Sequence, residues 1–193
     1  FRIGLMYANG RGVPQDETEA VAWFHRAAAQ GDALAEVNLG IMYEAGRGVV
    51  QDDAEAVRWF RKVAEQGDTD AQYNLAWCLI ELNQEEAAMQ EFGRLIEFFP
   101  DSEFAPAAQF TFGDYHYNQQ QYREAISAYE RVQREHPAAP AANQVPRLLA
   151  ELREALAYED YEQGLALMDS AESAKDPELY GRAVEIFERV RRQ

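Results

Sequence analysis

The feature that most constrains this chain is a stretch that returns. Gly4-Leu5-Met6-Tyr7-Ala8-Asn9-Gly10-Arg11-Gly12-Val13 comes back 36 residues later as Gly40-Ile41-Met42-Tyr43-Glu44-Ala45-Gly46-Arg47-Gly48-Val49. The same offset joins Asp16 to Asp52, Ala20 to Ala56, Trp23 to Trp59, Phe24 to Phe60, Ala28 to Ala64, Gly31 to Gly67 and Asp32 to Asp68. A fixed period of this length is the mark of a solenoid, because one helix pair cannot bury its apolar face without neighbours. The expected fold is therefore all-α: a right-handed α-α superhelix of about ten antiparallel helices.

Each unit carries its own stop and start signals. Gly10-Arg11-Gly12 ends the first helix, since glycine enters the left-handed cap conformation without a Cβ clash. Val13-Pro14 is an extended dipeptide. Asp16 is placed as an N-cap, with Glu19 three residues on to complete a capping box, and Asp52 with Glu55 repeats the arrangement. Ala20, Trp23, Phe24, Ala27 and Ala28 then fall at i, i+3, i+4, i+7 and i+8, one apolar helical face.

These residues resemble a known repeat. Leu39-Gly40, Met42-Tyr43, Gly46, Gly48-Val49, Asp52, Ala56, Trp59-Phe60, Ala64 and Gly67-Asp68 are similar to the Sel-1-like repeat, a relative of the tetratricopeptide repeat with a longer turn inside the helix pair. The resemblance implies a right-handed superhelix used as an adaptor. Some members tie each pair with a disulfide, and this chain lacks those cysteines. It also has Val50 where the first unit has Pro14, which leaves that turn less rigid.

After Ala76 the pattern changes. The next turn, Leu82-Asn83-Gln84, is short, and a signature of Ala88, Phe92 and Pro100 returns 37 residues on as Ala125, Tyr129 and Pro137. It comes again at Ala183 and Phe187. A small residue with a ring four later lets two helices approach and lock, and proline ends the second helix. Phe112-Gly113, Ala125, Tyr129 and Pro137 resemble the tetratricopeptide repeat. The connectors Phe99-Pro100-Asp101-Ser102 and His136-Pro137-Ala138-Ala139-Pro140 resemble those of bacterial envelope members, which implies the cell envelope or periplasm as the location. The expected organisation is Sel-1-like repeats over 1–67 and tetratricopeptide-like repeats over 68–193, continuous as one solenoid. Residues 145–174 read as one long helix, with an extra pair broken near Asp160 as the alternative. Asp176-Pro177 opens the last helix. The chain opens on Phe1 in mid-repeat, so it reads as a piece of a longer protein.

Charge narrows the partners. There are 34 Asp and Glu against 18 Lys and Arg, a net −16, which repels phosphate backbones. The expected partner is a neutral or basic protein or peptide, with no nucleic acid and no direct membrane insertion; no apolar run reaches the ~20 residues of a spanning helix. The single Cys78 has no partner for a disulfide and reads as a buried thiol.

Catalytic patterns are not found, and no enzyme activity, cofactor or metal is expected. His25, His116 and His136 lie in different units, none at ligand spacing. His25 is expected on exposed helix surface. Asp16, Asp52 and Asp68 are accounted for as caps. Gly10-Arg11-Gly12 lacks the Lys-Ser/Thr of a phosphate loop and follows no strand. Glu185 with Arg189 and Glu188 with Arg192 are expected to pair at i, i+4 on a solvated face.

In the tetratricopeptide class the first helix of each pair lines the inner surface. By the register of Phe112-Gly113, the resemblance places a peptide-binding stripe on Phe110, Asp114 and Tyr117. The unit before contributes Tyr73, Trp77 and Glu81, and the Sel-1-like unit Val37, Ile41 and Glu44. Two function classes follow: a non-catalytic binding scaffold, or a spacer or self-association element of a larger envelope protein.

Overall fold

The computed structural model describes residues 1–192. Among them are ten α-helices, one 3-10 turn and no strand, so the expected all-α repeat architecture is the one the chain adopts. The helices are α1 (Arg2–Asn9), α2 (Glu17–Ala28), α3 (Ala33–Glu44), α4 (Asp53–Ala64), α5 (Thr69–Glu81), α6 (Glu85–Phe98), α7 (Ala105–Asn118), α8 (Tyr122–Glu135), α9 (Val145–Ala174) and α10 (Pro177–Arg192). The 3-10 turn is Pro140–Asn143.

Two compact units divide the chain, Phe1–Ala108 and a second from Gln109 onward. In the first, each helix from α1 to α6 packs on the next. The contact of α4 with α5 spans the change of repeat near residue 68. Its core is Ala20, Phe24, Leu39 and Met42, continued by Ala56, Phe60, Leu75 and Phe92, all buried. In the second unit α9 packs on both α8 and α10, around Ala125, Tyr129, Val132, Val145, Leu149 and Leu152.

A single device joins the two helices of a pair. A Cβ added to Gly4 would stand 2.6 Å from the ring of Phe24, and one on Gly40 would stand 2.6 Å from Phe60. Gly113 meets Tyr129 at 2.3 Å and Gly164 meets Phe187 at 2.7 Å. A side chain as small as methyl would therefore push the helices apart. The α5–α6 pair has Ala76 and Phe92, both fully buried, at the corresponding places. The glycine half of this lock was not read from the sequence; only the alanine and ring of the second helix were.

The turns differ between the two repeat types. In the Sel-1-like units Gly10 and Gly46 adopt φ of 65° and 63°. The chain then loops back so that Asp16 N–H donates to Tyr7 O and Asp52 N–H to Tyr43 O, each at 3.0 Å. Val50 in place of Pro14 does not alter this closure. In the later units the turn is closed by one left-handed residue, Asn83 (φ 57°) or Gln120 (φ 59°).

Four expectations are corrected or decided. Asp16 and Asp52 do cap, accepting from the N–H of Glu19 and Glu55 at 3.0 Å. The capping box is not completed, because the cap residue's own N–H is already held by the tyrosine carbonyl. Residues 145–174 form one uninterrupted helix, with Gly164 inside it making room for Phe187. Arg189 does not pair with Glu185. It makes two hydrogen bonds to the buried Asp160, at 2.9 and 2.8 Å, and Arg123 of α8 binds the same carboxylate. Asp160 is 1% exposed, so one anion pins α8, α9 and α10 together. Arg192 pairs with Glu188 as expected.

Candidate functional site

In the first unit the expected contact positions Tyr73 and Trp77 of α5 belong to an aromatic cluster. Tyr73 stacks on Phe104 with centroids 4.8 Å apart. It also meets Phe92 at 5.7 Å and Trp77 at 6.2 Å. Trp77 stands edge-on to Phe92 at 5.9 Å. Offset and edge contacts of this kind are favoured by the ring quadrupoles. Phe92 is closed off, yet Trp77 keeps 36% of its surface exposed. Val37, Ile41 and Tyr73 are half-buried. Phe104, on the connector before α7, is a member that the repeat register did not point to.

Carboxylates gather around Cys78, the residue after Trp77 in α5. Burial raises the Glu44 carboxyl above its ordinary range, and the nearby charges of Asp53 and Glu81 push the same way. The Cys78 thiol is fully buried. Burial first, and the charges of Glu44, Asp53 and Glu81 next, push it up to about 12. A thiol so protonated is a poor nucleophile, as expected for a packing residue.

In the second unit Phe110 is half-buried against Tyr129 at 5.2 Å, and Tyr117 is 47% exposed, 6.3 Å from Tyr122. Asp114 has a partner within its own pair. The Tyr129 hydroxyl donates to Asp114 Oδ1 at 2.5 Å. Burial raises the Asp114 carboxyl, and this hydrogen bond works against the rise. The Tyr129 hydroxyl is raised by burial and by Asp114. One oxygen of Asp114 is thus committed to holding the ring that Gly113 accommodates.

His25 departs from expectation. It is half-buried, edge-on to Trp59 at 5.6 Å, and its Nε2 lies 3.3 Å from the Tyr43 hydroxyl. The next repeat covers it, which a single unit's helical wheel cannot show. No group of three or more His, Cys, Asp or Glu among the described residues has the arrangement of a metal site. No described helix is long and apolar enough to cross a membrane.

Open pockets among the described residues include one in each unit. One of about 570 Å³ lies between the ends of α4 and α6 and the start of α5, lined by Arg61, Gln72, Arg94, Phe98 and Phe99 among others. The other, about 600 Å³, lies in the second unit between the α7–α8 turn and α9.

Helices that each pack on the next in the first unit, and pairs that close on glycine–ring locks in both, define a helical-repeat protein. The particular repeats are of two kinds. The Sel1 repeat family matches at residues 1–32 and 33–68, and the tetratricopeptide repeat family at 70–102 and 107–139; over residues 1–139 the chain carries two Sel1 repeats followed by two tetratricopeptide repeats. No curated protein matches it. Among solved structures it is similar to a Sel1 repeat protein from Oxalobacter formigenes, with 30% identity and a TM-score of 0.56 over 69% of this chain and 56% of that one. It also shares the fold of c5321, a protective antigen of uropathogenic Escherichia coli with an SLR fold. There the identity is 24% and the TM-score 0.54, over 97% of this chain and 44% of that one. The chain thus spans about half the length of these two proteins.

Proposed function

We propose that this chain is a non-catalytic scaffold that binds a protein or peptide on the first helices of its pairs. The observation that carries the reading is Trp77. A tryptophan anchored edge-on to a buried phenylalanine, with a third of its surface left open, has the form of an interaction anchor: rigid, apolar and desolvated on one side. Val37, Ile41 and Tyr73 extend that face in the first unit, and Phe110 and Tyr117, with the free oxygen of Asp114, form the counterpart in the second. The carboxylates gathered around Cys78 and the net charge of −16 favour a neutral or basic partner. The location proposed is the bacterial cell envelope, as part of a larger protein, on the style of the connectors after α6 and α8. The second reading, a spacer or self-association element, is supported by the exposed apolar residues Phe98 and Val50, 65% and 87% open.

Affinity capture with the purified chain tests this. The wild type is expected to retain a partner from envelope extract, and Trp77→Ala and Phe110→Ala each to weaken that capture. Equal capture by both variants, with a wild-type far-UV circular dichroism spectrum, overturns the aromatic face. Concentration-dependent self-association without capture favours the spacer.

A further inference from the structure

We propose that the pocket between the α7–α8 turn and α9 is a receptor for an arginine side chain presented by a protein or peptide partner. The inference rests on the scaffold reading but uses none of the residues of the Trp77 face. The pocket holds about 600 Å³ and is lined by Gln119, Gln120, Tyr122, Ala155, Tyr158, Glu159 and Glu162. That volume accommodates a guanidinium on its three-carbon stem with room for adjoining backbone.

Chemistry selects the occupant. Apart from the tyrosines, the ionisable groups of the lining are Glu159 and Glu162, both exposed. Among the described residues neither makes an ion pair, so both carboxylates are open to a cation. Tyr158 is 68% exposed, a ring face open to a planar cation; Tyr122 is half-buried beside Tyr117. Tyrosine faces attract guanidinium, carboxylates pair with its fork, and the side-chain amides of Gln119 and Gln120 offer carbonyl acceptors.

The turn brings its own side chain to the pocket. Gln120 closes it with φ at 59°, as Asn83 does after α5 at 57°, and the glutamine side chain lines the pocket.

The test is nuclear magnetic resonance titration of the labelled chain with blocked Ala-Ala-Arg-Ala-Ala and with its citrulline, lysine and glutamate counterparts. All three tryptophans lie in the first unit, so indole fluorescence does not report on this pocket. The arginine peptide is expected to shift the side-chain amides of Gln119 and Gln120, and citrulline to bind roughly threefold to fivefold more weakly, the ratio expected for solvent-exposed charge pairs. Glu159→Gln/Glu162→Gln is expected to abolish the preference for arginine over citrulline, and Tyr158→Ala to reduce affinity severalfold. Gln120→Gly suits the left-handed turn and removes the side chain; it is expected to be at least as stable as wild type and to bind more weakly. Citrulline binding equal to arginine, unchanged binding by Tyr158→Ala, or spermidine binding as tightly as the arginine peptide would each overturn the proposal. If the peptide titration fails while Trp77-dependent capture persists, this pocket is excluded and the scaffold reading stands. If capture fails while the arginine preference holds, the reverse is true.

Discussion

The two Gly-Arg-Gly-Val turns have the same local sequence and the same hydrogen-bond closure, and they differ in the neighbours they meet within these residues. Around Gly12 a Cβ would find only Met6 Cε, at 3.6 Å. Around Gly48 it would lie 2.3 Å from the carbonyl oxygen of Glu17. Arg47 in that same turn binds the Glu17 carboxylate, Nε to Oε1 at 2.8 Å, whereas the corresponding Arg11 is exposed and makes no side-chain ion pair among the described residues. The second turn packs on the preceding repeat's helix. Within these residues, the second copy's glycine and arginine meet α2 of the preceding repeat, an inter-repeat contact that the turn's local sequence does not announce.

A second contrast lies between the units. The first is held chiefly by apolar layers and glycine–ring locks. Each also buries a carboxylate: among the described residues Glu36 in the first is held by a single lysine, Lys62, whereas Asp160 in the second is shared by arginines from α8 and α10.

That contrast yields the largest expected effect. Replacing both Arg123 and Arg189 by alanine leaves Asp160 without those partners at 1% exposure, and removing partners from a buried charge costs roughly 3–5 kcal/mol. Amide hydrogen exchange in α10 is expected to accelerate accordingly. Unchanged protection there would show that apolar packing alone holds the three helices.

The two turns are separated next. Gly48→Ala combines a left-handed backbone with a backbone clash and is expected to cost about 2–4 kcal/mol. Gly12→Ala meets the backbone penalty alone, about 1 kcal/mol. Urea unfolding followed by tryptophan fluorescence reads both, and equal costs would erase the distinction.

Helix starts provide a third comparison. The side chain of Asp52 accepts from Glu55 N–H, whereas Gln84 makes no side-chain cap bond. Asp52→Ala is expected to lose about 1 kcal/mol and Gln84→Ala a few tenths or less. The reciprocal change, Gln84→Asp, is expected to stabilise α6 in thermal unfolding.

The smallest effect is a pH dependence in the second unit. Asp114 has a raised carboxyl, so its protonated form is the one the fold favours. Its contribution is complete below the ordinary value of 3.8 and is lost as pH rises through the folded value. Tyr129→Phe removes the hydrogen bond that opposes the rise, so the Asp114 midpoint moves further up. The added penalty at neutral pH stays under about 1 kcal/mol, because much of the side chain meets water. Carboxyl carbon resonances read the midpoint, and a downward move would contradict the role given to Tyr129.

Much of the fold was legible from periodicity, because a helix pair that repeats every 36 residues has few ways to bury Ala20, Phe24 and their copies. Caps at Asp16, Asp52 and Asp68 were legible for the same reason: they act within three residues of themselves. The long α9 was readable from its unbroken helical rhythm. His25, Arg189 and Asp114 were not readable. Each has a partner from another helix, Tyr43 and Trp59, Asp160, and Tyr129 respectively, and nothing in local spacing reports such a meeting. Phe104 joined the aromatic cluster from a connector that carries no repeat register.

The amino-acid order by itself therefore determined the helices, their stops and the class of repeat, since these follow from backbone preferences and from apolar spacing along one chain. The tertiary structure alone decided which glycines face rings, which carboxylate is buried between two arginines, and which tryptophan keeps an open surface. Those outcomes depend on distances between segments far apart in the chain, where desolvation and close packing set the energy and local propensity has no purchase.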